Sequence, residues 1–153
     1  MRYTKLMLVL LGFAATLCAA DPFVGTWKMN PAKTKFKVGV APKEQTVTIA
    51  EVGSDYNVKV VGLAADGSNF SLSYSVPTAG GTGKFLEGAP YDGITGKRRQ
   101  AAEREMSYTK GGKVVYTTHS KLSADGNTLS VHSKGLNPLG KDVDATITYD
   151  KQH

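Results

Sequence analysis

From residue 45 onward, apolar and polar residues alternate in short segments. The clearest is residues 69–76. Phe70, Leu72, Tyr74 and Val76 fall on one side, and Asn69, Ser71, Ser73 and Ser75 on the other. Successive side chains of a strand point to opposite faces, so a period of two predicts a half-buried strand. Residues 45–52 and 55–63 read as partner strands across a Gly53-Ser54 turn, and Asp66-Gly67 signals the next hairpin. Residues 97–109, 113–122, 128–134 and 141–150 continue the series. They are separated by Gly111-Gly112, by Asp125-Gly126 and by a loop at 135–140. Upstream, residues 23–29 form a first strand. Pro31 ends it, because proline cannot donate to a ladder. Residues 30–42 then predict a loop crossing one end of the sheet. Residues 77–96 are glycine-rich and poorly periodic. They predict one short strand near 83–86 within a lid or an open mouth. No segment keeps a helical period long enough for a main helix.

Strands at hairpin spacing with no helices between them predict an all-β fold. The expected form is a single antiparallel up-and-down β-barrel of about 8–10 strands. Closure removes the free edges that would otherwise pair with other chains. Trp27, the only tryptophan, stands two residues after Gly25 on the first strand and is large enough to plug the barrel end. Gly25 and Trp27 are therefore the structural pair on which the barrel is expected to be organised.

Residues 1–20 divide as a secretory signal does. Arg2 and Lys5 make a positive start, residues 6–17 are apolar, and Cys18-Ala19-Ala20 offers small residues before Asp21. The apolar run is shorter than the roughly 20 residues that span a bilayer. The expected domains are a cleaved leader at 1–20 and a barrel at 21–153, in a secreted or periplasmic protein. Acylation of Cys18 would make it a lipoprotein instead, although Leu17 is large for the position before such a cysteine. Cleavage would remove the only cysteine, so stability would rest on packing and sheet closure. The full chain has a formal charge of +6, and the leader accounts for two of its basic residues and no acids. The remaining excess is small and scattered along the strands, which excludes a nucleic-acid footprint.

The chain contains no nucleophile elbow, phosphate loop, cysteine-based metal spacing or His-Glu-x-x-His motif. A non-enzymatic protein without a cofactor is expected. The cavity candidates are Phe70, Leu72, Tyr74, Met106, Tyr108, Val114, Tyr116, Val131, Ile147 and Tyr149, with tyrosine hydroxyls to orient an amphipathic molecule. A solidly packed interior is the alternative, since small barrels are often filled by side chains. Arg104 shares the parity of Ala102, Met106 and Tyr108. It is either an inward anion contact or a strand-end residue open to solvent. Registers that keep apolar residues on one face pair Tyr108 with Val114, Leu122 with Leu129 and Leu129 with Ile147. They align Glu103, His119, His132 and Asp144 on four adjacent strands. Two imidazoles flanked by carboxylates would suit zinc or copper; the plainer outcome is a solvated face of paired charges.

Gly25 and Trp27 on the first strand of a small barrel resemble the lipocalin superfamily. The wider pattern Asp21-Pro22-Phe23-Val24-Gly25-Thr26-Trp27-Lys28, Asn30-Pro31-Ala32-Lys33, Ser123-Ala124-Asp125-Gly126 and Tyr149-Asp150-Lys151 is similar to a group of lipocalin-like bacterial secreted proteins of unknown function. The resemblance implies a barrel that binds a small apolar or amphipathic molecule. The chain departs from lipocalins in lacking a late arginine over the tryptophan and a C-terminal helix; Lys151 stands at the end of the last strand instead. The second functional expectation is a binding or inhibitor module that recognises a protein or polysaccharide through its outer face or the 77–96 loops. Oligomeric state is not legible in the sequence.

Overall fold

The computed structural model describes residues 19–153, so most of the expected leader, including Cys18, lies outside the described residues. Twelve strands follow one another: β1 Gly25–Met29, β2 Lys35–Val38, β3 Glu44–Val52, β4 Asp55–Leu63, β5 Asn69–Pro77, β6 Gly80–Thr82, β7 Lys84–Glu87, β8 Gly93–Gln100, β9 Glu103–Lys110, β10 Lys113–Leu122, β11 Thr128–Leu136 and β12 Asp142–Lys151. All pairings are antiparallel, and the order β6-β8-β9-β10-β11-β12-β1-β3-β4-β5-β7 runs around a nearly closed barrel.

Two interrupted strands explain why there are more strands than the pattern predicts. β12 is long enough to pair with β2 over Asp144–Thr146 and with β1 over Tyr149–Lys151. The expected loop at 30–42 therefore contains a strand. Its Lys35-Phe36-Lys37-Val38 alternates, with Phe36 against the core and both lysines exposed. The second interruption closes the ring. β6 pairs with β8 and β7 pairs with β5, so residues 80–87 cross from one edge of the sheet to the other. Gly83 is the crossing point, and its N–H donates to the Ile94 carbonyl at 2.9 Å. A Cβ at Gly83 would lie 2.4 Å from the Ser75 carbonyl oxygen, so only glycine fits there. Counting each interrupted strand once, ten positions surround the core.

The hairpin turns follow the sequence closely. Val52 faces Asp55 across Gly53-Ser54. At 64–68 and 123–128 the same Ala-Asp-Gly unit turns the chain, and Asp66 and Asp125 accept from backbone N–H groups two residues on, at 2.9 and 3.0 Å. The turns at 53–54, 78–79, 101–102 and 123–127 gather at one end of the barrel. Those at 39–43, 64–68, 88–92, 111–112 and 137–140 gather at the other.

Candidate functional site

The inward faces of the strands enclose a cavity of about 160 Å³ that reaches from a closed floor to the turns at the opposite end. It is not filled solid, and a void of this size is large enough for a small ring compound. Nine of the ten expected lining residues, Phe70, Leu72, Tyr74, Met106, Tyr108, Tyr116, Val131, Ile147 and Tyr149, lie on its wall, and so does Arg104. Val114 does not: it is 58% exposed. A bulge between Val114 and Tyr116 resets the parity of β10, so that Tyr116 and Thr118 point inward while Val114 turns out.

The closed end is built by residues 21–29. Trp27 has no exposed surface, and its Nε1–H donates to the Phe23 carbonyl at 2.9 Å. Lys151 crosses the indole with its Nζ 5.2 Å from the ring centre. Gly25 makes room for it: at φ +144° a side chain would be strained, and its Cβ would lie 2.9 Å from Lys151 Cε. Beside the tryptophan, Arg104 is buried rather than open to solvent at a strand end, with 5% exposure. Its guanidinium lies 4.6 Å from the Phe23 ring centre. Nη1 donates to the Gln100 and Glu103 carbonyls at 3.0 and 3.1 Å. Nη2 donates to the Tyr56 hydroxyl at 3.1 Å, and that hydroxyl donates to Asp21. Asp21 Oδ2 lies 3.8 Å from Nη2, so the buried charge is compensated. The Tyr56 hydroxyl is held above its ordinary pKa by burial and by its bond to the Asp21 carboxylate.

The wall above this floor mixes apolar surface with hydroxyls. Tyr74 and Tyr108 meet edge to face with ring centres 6.1 Å apart, and their hydroxyls are 3.5 Å apart. Gln45 donates to the Tyr149 hydroxyl at 2.9 Å. Thr118, Ser120 and Ser133 add further hydroxyls along β10 and β11. Burial pushes the pKa of Tyr116 up to about 12 and raises those of Tyr74, Tyr108 and Tyr149, so these phenols stay neutral.

The residues at 77–96 act differently from the expected lid. Their first half is the seam of the barrel. Their second half folds Tyr91 into the mouth, where it stacks on Tyr116 with ring centres 6.0 Å apart and donates to the Leu136 carbonyl at 2.6 Å. Tyr91 was invisible in the sequence because it sits in no alternating run. The opening that remains lies on the other side, between Val40, Pro42, Ala65, Phe70, Pro138 and Leu139.

The expected row of metal ligands does not form. His119 does face His132. However, the registers on either side are displaced by two residues: Glu103 faces Lys121, and Asp144 faces Lys134. A two-residue turn at Gly111-Gly112 in place of three and the bulge in β10 together cause the first displacement, and a turn after Leu136 centred one residue later than expected causes the second. Two separate pairs result, His119 Nε2 with Glu103 at 3.4 Å and His132 Nε2 with Asp144 at 3.0 Å. Among the described residues no three His, Cys, Asp or Glu side chains come together as a metal site. Lys121 and then His119 hold the Glu103 carboxyl below its ordinary pKa, and His132 does the same for Asp144.

No protein-family model matches this chain, and no curated protein matches its sequence.

Proposed function

We propose that this chain is a secreted or periplasmic lipocalin-like barrel that holds a small apolar or amphipathic molecule inside. The observation that carries the reading is the cavity: open at one end, floored by Phe23, Tyr56 and Arg104, and walled by apolar side chains with inward tyrosine hydroxyls. Such a lining gives affinity through apolar burial and orientation through a few polar groups. The Gly25–Trp27–Lys151 floor supports the lipocalin likeness, with a lysine doing over the indole what an arginine does in that superfamily. Binding is favoured over catalysis because the cavity lining contains no His, Cys, Asp or Glu to serve as nucleophile or base.

A recognition module working through the 77–96 loops draws less support. That segment is used to close the barrel and to place Tyr91 in its mouth.

The test is native mass spectrometry of the protein purified from its source. A retained small molecule, released on unfolding, is the expected result. A bare mass, together with no uptake of environment-sensitive apolar dyes, would overturn the reading.

A further inference from the structure

Eight large apolar side chains are exposed among the described residues, and four of them lie in two abutting segments at the open end of the barrel. Val38 and Val40, 49% and 77% exposed, leave the end of β2. Leu136 and Leu139, 40% and 44% exposed, flank the turn between β11 and β12. The segments touch: Val38 faces Asp144, and the backbone at Gly39 packs on that of Asp142 and Val143. Val40 and Leu139 also line the cavity mouth, so the patch is the rim of the opening. Clustered apolar exposure of this kind marks an interaction surface, whereas single exposed side chains need no explanation.

The charges around the rim decide what it meets. Lys35, Lys37, Lys43, Lys134 and Lys141 are all exposed on the same two segments and their flanks. The acids there are Glu44, Asp66 beside Lys43, Asp142 and Asp144; Asp144 is engaged by His132 at 3.0 Å and lies near Lys37 and Lys134, so five lysines face four acids of which one is already paired. An apolar tip inside a cationic collar matches the boundary of an anionic bilayer, where apolar side chains enter the headgroup region and lysines meet the lipid phosphates. We propose that the mouth of the barrel docks on anionic membrane surfaces, with Val40 and Leu139 entering the bilayer boundary and the lysine collar holding the opening against it. The inference concerns the outer rim and does not depend on what the cavity holds.

The test uses residues 21–153, which contain every strand and the buried core of the described residues, in sedimentation with extruded vesicles. Binding is expected to vesicles containing one third phosphatidylglycerol at 20 mM salt. It should fall at least tenfold by 500 mM salt, and neutral phosphatidylcholine vesicles should retain little protein. The paired substitution Val40→Asp and Leu139→Asp should reduce binding to the anionic vesicles at least tenfold without moving the melting temperature, because both side chains are exposed. Lys37→Gln with Lys141→Gln should weaken binding and flatten its salt dependence. Three results would each overturn the proposal: no binding to anionic vesicles at low salt, undiminished binding by the Asp pair, or a wild-type dimer that the Asp pair dissociates. The last would show that a second copy of the chain covers the rim.

Discussion

The ammonium group of Lys151 sits 5.2 Å above the Trp27 ring at the closed end of the barrel. The last strand thereby seals the first. Its aliphatic stem packs where a side chain at residue 25 would stand, and its Nζ also lies 3.4 Å from the Pro22 carbonyl. Trp27→Ala removes the only fully buried indole and should cost about 3–5 kcal/mol of stability. Lys151→Ala should cost only about 0.5–1 kcal/mol, the range for a cation over an aromatic ring near solvent. Urea denaturation of both variants checks the ranking. Equal losses would mean that the lysine stem, rather than the indole, is the main seal.

Arg104 should matter for stability. Replacing it with Met keeps most of the stem but strips Tyr56 and two carbonyls of their donor and leaves Asp21 without its cation. The expected loss is about 1–3 kcal/mol, the range for buried polar groups left without partners. Tyr56→Phe breaks the same chain at its middle and should cost less, since Arg104 keeps its carbonyl bonds. Chemical denaturation that places Arg104→Met within a few tenths of the parent would show that the cluster contributes nothing net.

The interior phenols predict an alkaline limit. Burial raises the Tyr116 pKa to about 12, above the value near 10 of an unfolded tyrosine. A folded pKa above the unfolded one means that its stability contribution is intact below about pH 10 and is lost as pH rises toward 12. The loss from this one group is about 2 kcal/mol by pH 12. Tyr74, Tyr108 and Tyr149 shift in the same direction and deepen it. Melting temperature against pH should fall steeply above pH 10, and Tyr116→Phe should make the fall shallower. A flat profile to pH 12 would contradict the buried, neutral state of these rings.

Filling the void should separate binding from folding. Val60 lines the cavity on β4 and is only partly buried. Val60→Phe would occupy part of the space with an aromatic ring, at about 1–3 kcal/mol if neighbours must shift. Uptake of an apolar dye should drop at least tenfold while circular dichroism stays that of the parent. Unchanged uptake would place the dye elsewhere on the molecule.

The strands were legible wherever one face is dry and the other wet, as in β5, where Leu72, Tyr74 and Val76 are buried. That alternation is set by the interior itself, so the cavity wall could be read as well. The register was legible where no bulge follows the turn and the turn chemistry is fixed: Leu122 faces Leu129 as expected across Asp125-Gly126. It failed at Gly111-Gly112, where the turn is one residue shorter than the pattern predicts and a bulge adds one more, and after Leu136, where the turn centres one residue later; each failure displaced the pairing by two. An even displacement keeps a side chain on its face, which is why the wall survived, apart from Val114 ahead of the bulge, while the histidine row did not. Gln45, Tyr56, Thr118 and Ser133 escaped notice because an inward polar residue breaks the very pattern used to find strands. Asp21 and Tyr91 lie outside any strand, and only tertiary contact gives them a role.

The crossing at Gly83 makes a mechanical weak link in the barrel, and it lacks the neighbouring β2–β12 ladder that reinforces the equally short β1–β12 pairing. Most neighbouring strands share long ladders, but β6 meets β8 over three residue pairs and β7 meets β5 over three. Opening there breaks few bonds and leaves the other rungs intact, so its free energy lies well below that of global unfolding. In native-state hydrogen exchange, the amides of residues 80–87 should therefore trade with solvent orders of magnitude faster than those of β10–β12. In a barrel with so short a clasp, the side wall breathes on its own timescale, and the residence time of anything inside is set by that clasp as well as by the rim.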